Sequence, residues 1–355
     1  MVQLNTARAA NTALFQSRPF VAVFAGATSG IGEATLRALA AAHGTNGKGL
    51  RVYVIGRKKE ATEKILAECV KTCPNGKLVF VQASDLSLLE EVDRVCAEIT
   101  KAEKDTVGTG SANIDLLCMS QGDFNFSPRR DTKEGLEFRV SLLYYSRMRI
   151  IVNLLPLLLA SELPAHIISV FAGGKESDFH LEDISLRDPQ NWSSLNIRSH
   201  VAMMHTFFFE YLVTQHPGKL SFVHLYPGLV MTNAFMNPGV PWWARIGFRV
   251  FYPFFRLAST PIGEAGERVL FLASPQRFPA SQGTGDATAV ETKLAVANGT
   301  DGREGSGAYG VNIDGETSHN AKAIEKYRAE GLGGKITEHT MKVFEVISSG
   351  KVWTE

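Results

Sequence analysis

Phe20-Val-Ala-Val-Phe-Ala25, followed at once by Gly26-Ala-Thr-Ser-Gly30-Ile-Gly32 and then by Glu33 to Ala42, is the stretch that decides the fold. Six apolar residues in a row read as a buried strand, the glycines as a tight turn and the alanine- and leucine-rich run as a helix. Glycines let the backbone turn sharply and approach an anionic ligand closely, and the amide-rich start of a helix favours negative charge. In this setting the motif reads as the pyrophosphate turn of a dinucleotide-binding fold, with Gly26, Thr28, Ser29, Gly30, Ile31 and Gly32 as its contact residues. A merely structural turn is the other reading.

Outward from this stretch, Leu50–Ile55, Lys77–Val81, Ile114–Met119, His166–Val170 and Leu220–Leu225 each read as a short buried strand, with helical segments between them. Near-continuous apolar strands alternating with helices imply a parallel sheet covered on both faces, because parallel strands need crossover connections. The expected fold is α/β, a doubly wound parallel sheet of Rossmann type in a single domain plus a carboxyl-terminal extension. The expected organisation is an amino-terminal extension over 1–19, the sheet domain over 20–275 and a carboxyl-terminal extension over 276–355. Residues 279–308 are rich in Gly, Ala, Thr and Ser and read largely as a mobile loop, with a further strand over Ala308–Ile313 and helices over Asn320–Glu330 and Thr337–Ile347.

The 37 Lys and Arg against 36 Asp and Glu leave a net charge of +1, so no global field draws the chain to nucleic acid. Four cysteines in 355 residues make no disulfide framework, and Cys69 with Cys73 lacks the second pair a zinc site needs. The amino terminus has no continuous apolar core after a basic start, so a reduced, cytoplasmic setting is expected. The longest apolar runs are broken by Asn153, Pro156 and several arginines, short of the ~20 apolar residues of a spanning helix.

The second strand ends in Gly56-Arg57-Lys58-Lys59, where an NAD-preferring fold usually presents an acid to the ribose 2′-hydroxyl. Cations there suit a 2′-phosphate, which a guanidinium fork binds at two points. Arg57 and Lys58 therefore point to NADP(H), with a solvated turn as the alternative.

Together these motifs resemble the short-chain dehydrogenase/reductase family, in a fungal-looking branch with a long carboxyl-terminal extension, over about residues 20–275. Ser84-Asp85-Leu86 is similar to the family's adenine-contacting turn, Ser120-Gln121-Gly122 to its Asn-Ala-Gly, and Tyr226-Pro227-Gly228 through Thr232 to its nicotinamide-flanking Pro-Gly turn. The resemblance implies cofactor contacts at Asp85, Leu86, Gln121, Gly122, Pro227, Gly228 and Thr232. The family's catalytic Tyr-x-x-x-Lys occurs nowhere in the chain. Trp192 and Asn196 fall at the tyrosine and lysine places, Phe171 and Ala172 at the serine, and Leu142 or Leu143 at the structural asparagine. An indole cannot supply a proton near neutral pH and Asn196 carries no charge, although its amide suits a cofactor ribose.

Substitute acid or base candidates are His200, one turn beyond Asn196, Tyr144 and Tyr145 near the lost asparagine place, and His180 in the insertion Gly174–Asp183. The corresponding structural readings are a packed histidine, tyrosine hydroxyls satisfied at a subunit contact, and a solvated loop. With one histidine in that insertion, no metal is expected there. The segment Val240–Leu257, VPWWARIGFRVFYPFFRL, stands where the family builds a substrate lid; a homodimer contact and a peripheral membrane anchor are the competing readings. Two functions stay open: an NADPH-dependent oxidoreductase acting on a bulky apolar small molecule in secondary metabolism through an atypical site, or a non-redox isomerase, cyclase or nucleotide-binding partner protein on the same fold.

Overall fold

The computed structural model describes residues 1–123, 128–232, 236–237, 239–281 and 294–355. Seven strands, β1 (Phe20–Ala25), β2 (Leu50–Gly56), β3 (Gly76–Gln82), β4 (Leu116–Met119), β5 (Ala165–Val170), β6 (Leu220–Tyr226) and β7 (Ala308–Asn312), form one sheet in the order β3-β2-β1-β4-β5-β6-β7. Every neighbouring pair is parallel. The chain winds one way from β1 to β3 and the other way from β4 to β7, so a crevice opens beyond the carboxyl ends of β1 and β4, where such folds bind ligands.

All the strands but the edge strand β3, where only Val81 is buried, are largely buried because both faces are covered, and their side chains divide between two cores. Val21, Val23 and Ala25 join one core, Phe20, Ala22 and Phe24 the other, as the two-residue repeat of a strand requires. The second face carries α1 (Leu4–Ala13), α2 (Gly30–His43), α3 (Lys59–Thr72) and α10 (Ile262–Phe271). The first carries α4 (Leu89–Val107), α7 (Ser194–Gln215) and a continuous helix over Phe138–Leu159. That last helix comprises α5 (Phe138–Val140), a π-helical turn at Ser141–Tyr145 and α6 (Ser146–Leu159). It is long and apolar enough by composition to cross a bilayer, but Tyr144, Met148, Ile151 and Leu154 pack wholly into the protein core. A short hairpin of α8 (Trp242–Val250) and α9 (Tyr252–Ala258) stands apart from both layers.

The termini are built into this body. β7 extends the sheet beyond β6, α11 (Ala321–Ala329) precedes α12 (Leu332–Ser348), and α12 lies across α7 and α4. Part of the stretch expected to be a mobile loop is tied down instead. Ala297 N–H donates to the Arg277 carbonyl at 2.8 Å, Arg277 Nη1 donates to the Ala295 carbonyl at 2.6 Å, and Thr300 Oγ1 donates to Glu210 at 2.6 Å. Small side chains there let the backbone pack closely. The rest of that expected loop, residues 282–293, lies outside the described residues. All four cysteines are free and buried.

Trp353 closes the first face. It is 2% exposed, its indole N–H donates to Ser185 Oγ at 3.1 Å, and its backbone N–H donates to the Glu134 carbonyl at 2.8 Å. Trp353→Ala is expected to lower unfolding stability by about 3–5 kcal/mol, since it removes a fully buried aromatic. A urea midpoint equal to that of the unmodified protein would show that the tail does not clamp the fold.

Candidate functional site

At the crevice the glycine turn is shaped by close approach. Gly26 has φ +90°, and a Cβ there would run into the backbone of Ser120 and Gln121, 2.8 Å from the Gln121 Cα. A Cβ on Gly32 would overlap Ser120 Oγ and stand 2.7 Å from the Gly26 carbonyl oxygen. Hydrogen bonds from Ser120 N–H to the Ala25 carbonyl (2.8 Å) and from Ser120 Oγ to the Gly26 carbonyl (3.3 Å) fasten the end of β4 to the turn. Thr28 lies against Gly56 at the end of β2, and Ile31 at the first turn of α2 packs on the core. Ser29 holds the N-cap position of α2 without a side-chain bond to the helix, leaving its leading amides as donors for an anion. The methyl of Thr232 lies 3.5 Å from where a Gly30 Cβ would stand, so the Thr232 loop borders the turn on its far side.

Gln121 is 6% exposed, and both atoms of its side-chain amide are buried without a hydrogen-bond partner. Such a group costs about 1–3 kcal/mol unless a ligand satisfies it. Its backbone carbonyl accepts from Arg147 Nη2 at 2.6 Å, and Arg147 Nη1 donates to Ser169 Oγ at 2.6 Å and to the Val170 carbonyl at 3.1 Å. Arg147 thus pins the ends of β4 and β5 together from beneath the crevice, and burial brings its pKa down to about 9. His205 donates from Nδ1 to the Val201 carbonyl and accepts from Ser169 at Nε2 (3.0 Å). It stacks at 4.4 Å on His224, whose Nε2 accepts from the Ala172 N–H.

Around the rim, Arg57 and Lys58 are exposed, and Thr62 Oγ1 donates to the Lys58 backbone carbonyl at 2.8 Å. Asp85 is turned into its own loop, its Oδ1 accepting from Ser87 N–H at 2.9 Å and Ser87 Oγ at 2.7 Å, beside buried Leu86. Gly122 is exposed, Pro227 is half-buried and Gly228 turns the chain at φ +62°. Beside that turn the Lys175 ammonium lies 4.1 Å over the ring of half-buried Tyr226.

The substitute acid and base candidates are not gathered in the crevice. Tyr144 and Tyr145 are wholly buried under α12, with hydroxyls 2.8 Å from Thr340 Oγ1 and 2.8 Å from His339 Nε2. Burial pushes both phenols up. Their partners come from the same chain, so the expected subunit contact is replaced by an internal one. His180, Asn196 and His200 form one cluster. The His180 N–H donates to His200 Nε2 at 2.8 Å, the His200 ring stacks on Phe179 at 4.0 Å and on His180 at 5.2 Å, and Asn196 Nδ2 donates to the Asn191 carbonyl at 2.6 Å. Burial lowers the His200 pKa to about 3, so a neutral ring whose acceptor is already used stands where a proton donor was sought. Trp192 lies under the Arg139 guanidinium at 4.6 Å, and half-buried Phe171 and buried Ala172 follow β5. No group of three His, Cys, Asp or Glu placed to hold a metal occurs among the described residues.

Sequence reading passed over the buried Arg147 and the Lys175–Tyr226 pair. The signal for the pair lies in topology: Lys175 follows β5 and Tyr226 ends β6, adjacent strands paired up to Val170 and Leu225.

Five buried imidazoles have a depressed pKa, His200 and His205 to about 3, His166 and His339 to about 4 and His224 well below its ordinary value, each mainly through burial. An unfolded imidazole protonates near pH ~6.5. Above that pH both states are neutral; below it the unfolded chain takes up protons that the folded chain refuses, so stability falls from about pH 6.5 towards pH 4. Urea midpoints across this range should decline, less steeply in His200→Gln; a rising midpoint would contradict the neutral buried rings.

No family model matches the chain. It is 36% identical over 345 residues to oxidoreductase AN1596 of Emericella nidulans, covering 97% of this chain and 98% of that protein. It is 34% identical over 351 residues to the short-chain dehydrogenase/reductase SAT2 of Stachybotrys chartarum, covering 98% of each. Among solved structures, the Pseudomonas aeruginosa RhlG/NADP active-site complex superposes with a TM-score of 0.51 at 20% identity, over 79% of this chain and 95% of that one, a likeness of fold. With full-length relatives at this identity and a seven-stranded doubly wound sheet whose glycine turn faces the end of β4, the chain belongs to the short-chain dehydrogenase/reductase family.

Proposed function

We propose that the protein is an NADPH-dependent oxidoreductase acting on a bulky apolar small molecule of secondary metabolism. The observation that carries this reading is the buried side-chain amide of Gln121 beside the glycine turn, which has neither donor nor acceptor satisfied, at the place where Gly26 and Gly32 let the turn close against the end of β4. The full-length relatives named as oxidoreductases support it. A bound nicotinamide nucleotide would supply the hydride. For this chain's part, the amides at the start of α2 hold the pyrophosphate, Arg57 with Lys58 forks the 2′-phosphate, and Gln121, Pro227, Gly228 and Thr232 frame the nicotinamide end. Half-buried Phe171 offers the substrate apolar surface at the end of β5.

Reduction of a carbonyl also needs a proton on oxygen. Tyr226 stands at the Pro-Gly turn with Lys175 over its ring, and we assign its hydroxyl to that transfer in place of the absent Tyr-x-x-x-Lys. Its substitution should cost about 100-fold or more in kcat, the usual worth of a positioned acid. The absence of that motif also favours a second reading, a non-redox isomerase or cyclase that keeps the nucleotide as a structural ligand. NADPH absorbance during turnover separates the two: consumption matched to product supports reduction, and product without consumption supports the second reading.

Fluorescence titration is expected to show NADPH binding at least about tenfold more tightly than NADH, with Arg57→Asp reversing the order; equal affinities in the unmodified protein would remove the 2′-phosphate assignment. Tyr226→Phe should lower kcat with NADPH affinity unchanged. Full activity in that variant would move proton delivery to water or another group.

A further inference from the structure

The α8–α9 hairpin holds eight of the sixteen large apolar side chains that are exposed among the described residues: Trp242, Trp243, Ile246, Val250, Phe251, Tyr252, Phe254 and Leu257. Neither helix buries a single residue. The two helices meet each other through Phe248 and Phe255, at 5.7 Å between ring centroids. At about 100° per residue, Trp242, Ile246, Val250 and Trp243 fall on one continuous arc of α8, and Arg249 and Arg245 follow along its edge. Arg249 and, on α9, Arg256 are exposed, whereas Arg245 is half-buried with its Nε enclosed. No Asp or Glu occurs anywhere from residue 211 to residue 263. The hairpin is anchored at its base, where Val230 and Thr260 form a parallel bridge and the Thr260 N–H donates to the Leu229 carbonyl at 3.0 Å, beside the Thr232 loop that borders the glycine turn.

We propose that this hairpin is a docking surface for an anionic lipid bilayer, seated in the headgroup layer with its aromatic arc in the acyl boundary and its arginines on lipid phosphates. Exposed aromatics joined to a cationic edge on a short helix, without a transmembrane span, are the composition that partitions into an interface. Tryptophan and tyrosine suit the headgroup level, and arginine stems reach along the apolar surface while the charge stays with the phosphates. Charge also decides against a second copy of the chain. A symmetric contact through this hairpin would set the same three arginines against one another with no carboxylate in the segment to neutralise them. Docked in this way, the base of the hairpin places the mouth of the crevice at the membrane, where an apolar substrate is concentrated. The surface lies outside the nucleotide cradle, so the inference stands whatever reaction the cradle serves.

The test is flotation of the full-length protein with vesicles of phosphatidylcholine, with and without phosphatidylserine, NADPH affinity being measured on every variant as the check of folding. Binding to the phosphatidylserine vesicles that weakens with added salt is expected. Joint replacement of Arg245, Arg249 and Arg256 by Gln should weaken it about 100-fold, at roughly fivefold for each cation near a charged surface. Trp242→Ala with Trp243→Ala should release the protein from the vesicles while NADPH affinity stays the same. The proposal is overturned if the unmodified protein stays in the soluble fraction at low salt. It is equally overturned if sedimentation shows a dimer that the tryptophan variants split, or if those variants only raise KM for a water-soluble substrate and leave vesicle binding intact.

Discussion

The space between Gly26 and the Ser120–Gln121 backbone is the constraint on which the rest of the structure depends. Because a side chain at residue 26 or 32 would overlap the end of β4, β1 and β4 come together with only backbone between them, and the crevice narrows to a cleft lined by amides. Holding that approach falls to Arg147, whose guanidinium ties the Gln121 carbonyl to the end of β5. Taking a guanidinium out of water costs several kcal/mol unless its donors are satisfied. Here three neutral acceptors take its two Nη groups while the buried Nε has no partner, and those acceptors belong to the residues that form the cleft floor. Ser169, His205 and His224 carry the same network on to β6 and to the backbone of Ala172. Burial keeps these two imidazoles neutral, which fits acceptors and stacked rings inside a polar core.

Around this floor the chain divides into a rigid body and a projecting element. The carboxyl-terminal segment belongs to the body: β7 widens the sheet, α12 closes over Tyr144 and Tyr145, and Trp353 seals the face. The π-helical turn at Ser141–Tyr145 is where those two tyrosines are delivered to α12. A π turn shifts the helical register by about one residue, and here both hydroxyls find partners on the same covering helix. The α8–α9 hairpin is the opposite case, a pair of helices that leaves eight large apolar side chains exposed among the described residues.

Much of the sheet was legible from periodicity, because strands buried on both faces leave runs such as Phe20–Ala25 and His166–Val170 that no surface element would tolerate. The fourth strand starts at Leu116 and not at Ile114, since Asp115 turns its carboxylate to the Val21 N–H and to Arg18 at 2.7 Å each. The glycine turn was legible for a similar reason: its spacing is a direct record of backbone geometry. Side-chain pairing was not. Tyr144 and Thr340 are 196 residues apart, and nothing local in either segment announces that one covers the other. The same holds for His200, which a helical repeat places one turn beyond Asn196 but which only the packing of Phe179 and His180 turns into a buried acceptor. The hairpin of residues 242–258 reads as aromatic and cationic in the sequence, but whether those side chains face inward or outward is a tertiary property.

Every role proposed for the crevice requires a nicotinamide nucleotide seated over the glycine turn and the end of β4. Hydrogen–deuterium exchange of the intact protein with and without NADPH tests this directly. The account predicts slowed exchange at the amides of residues 26–34, 56–59 and 119–123, with the terminal helices unchanged. Protection confined to other segments, or none at saturating nucleotide, would contradict it.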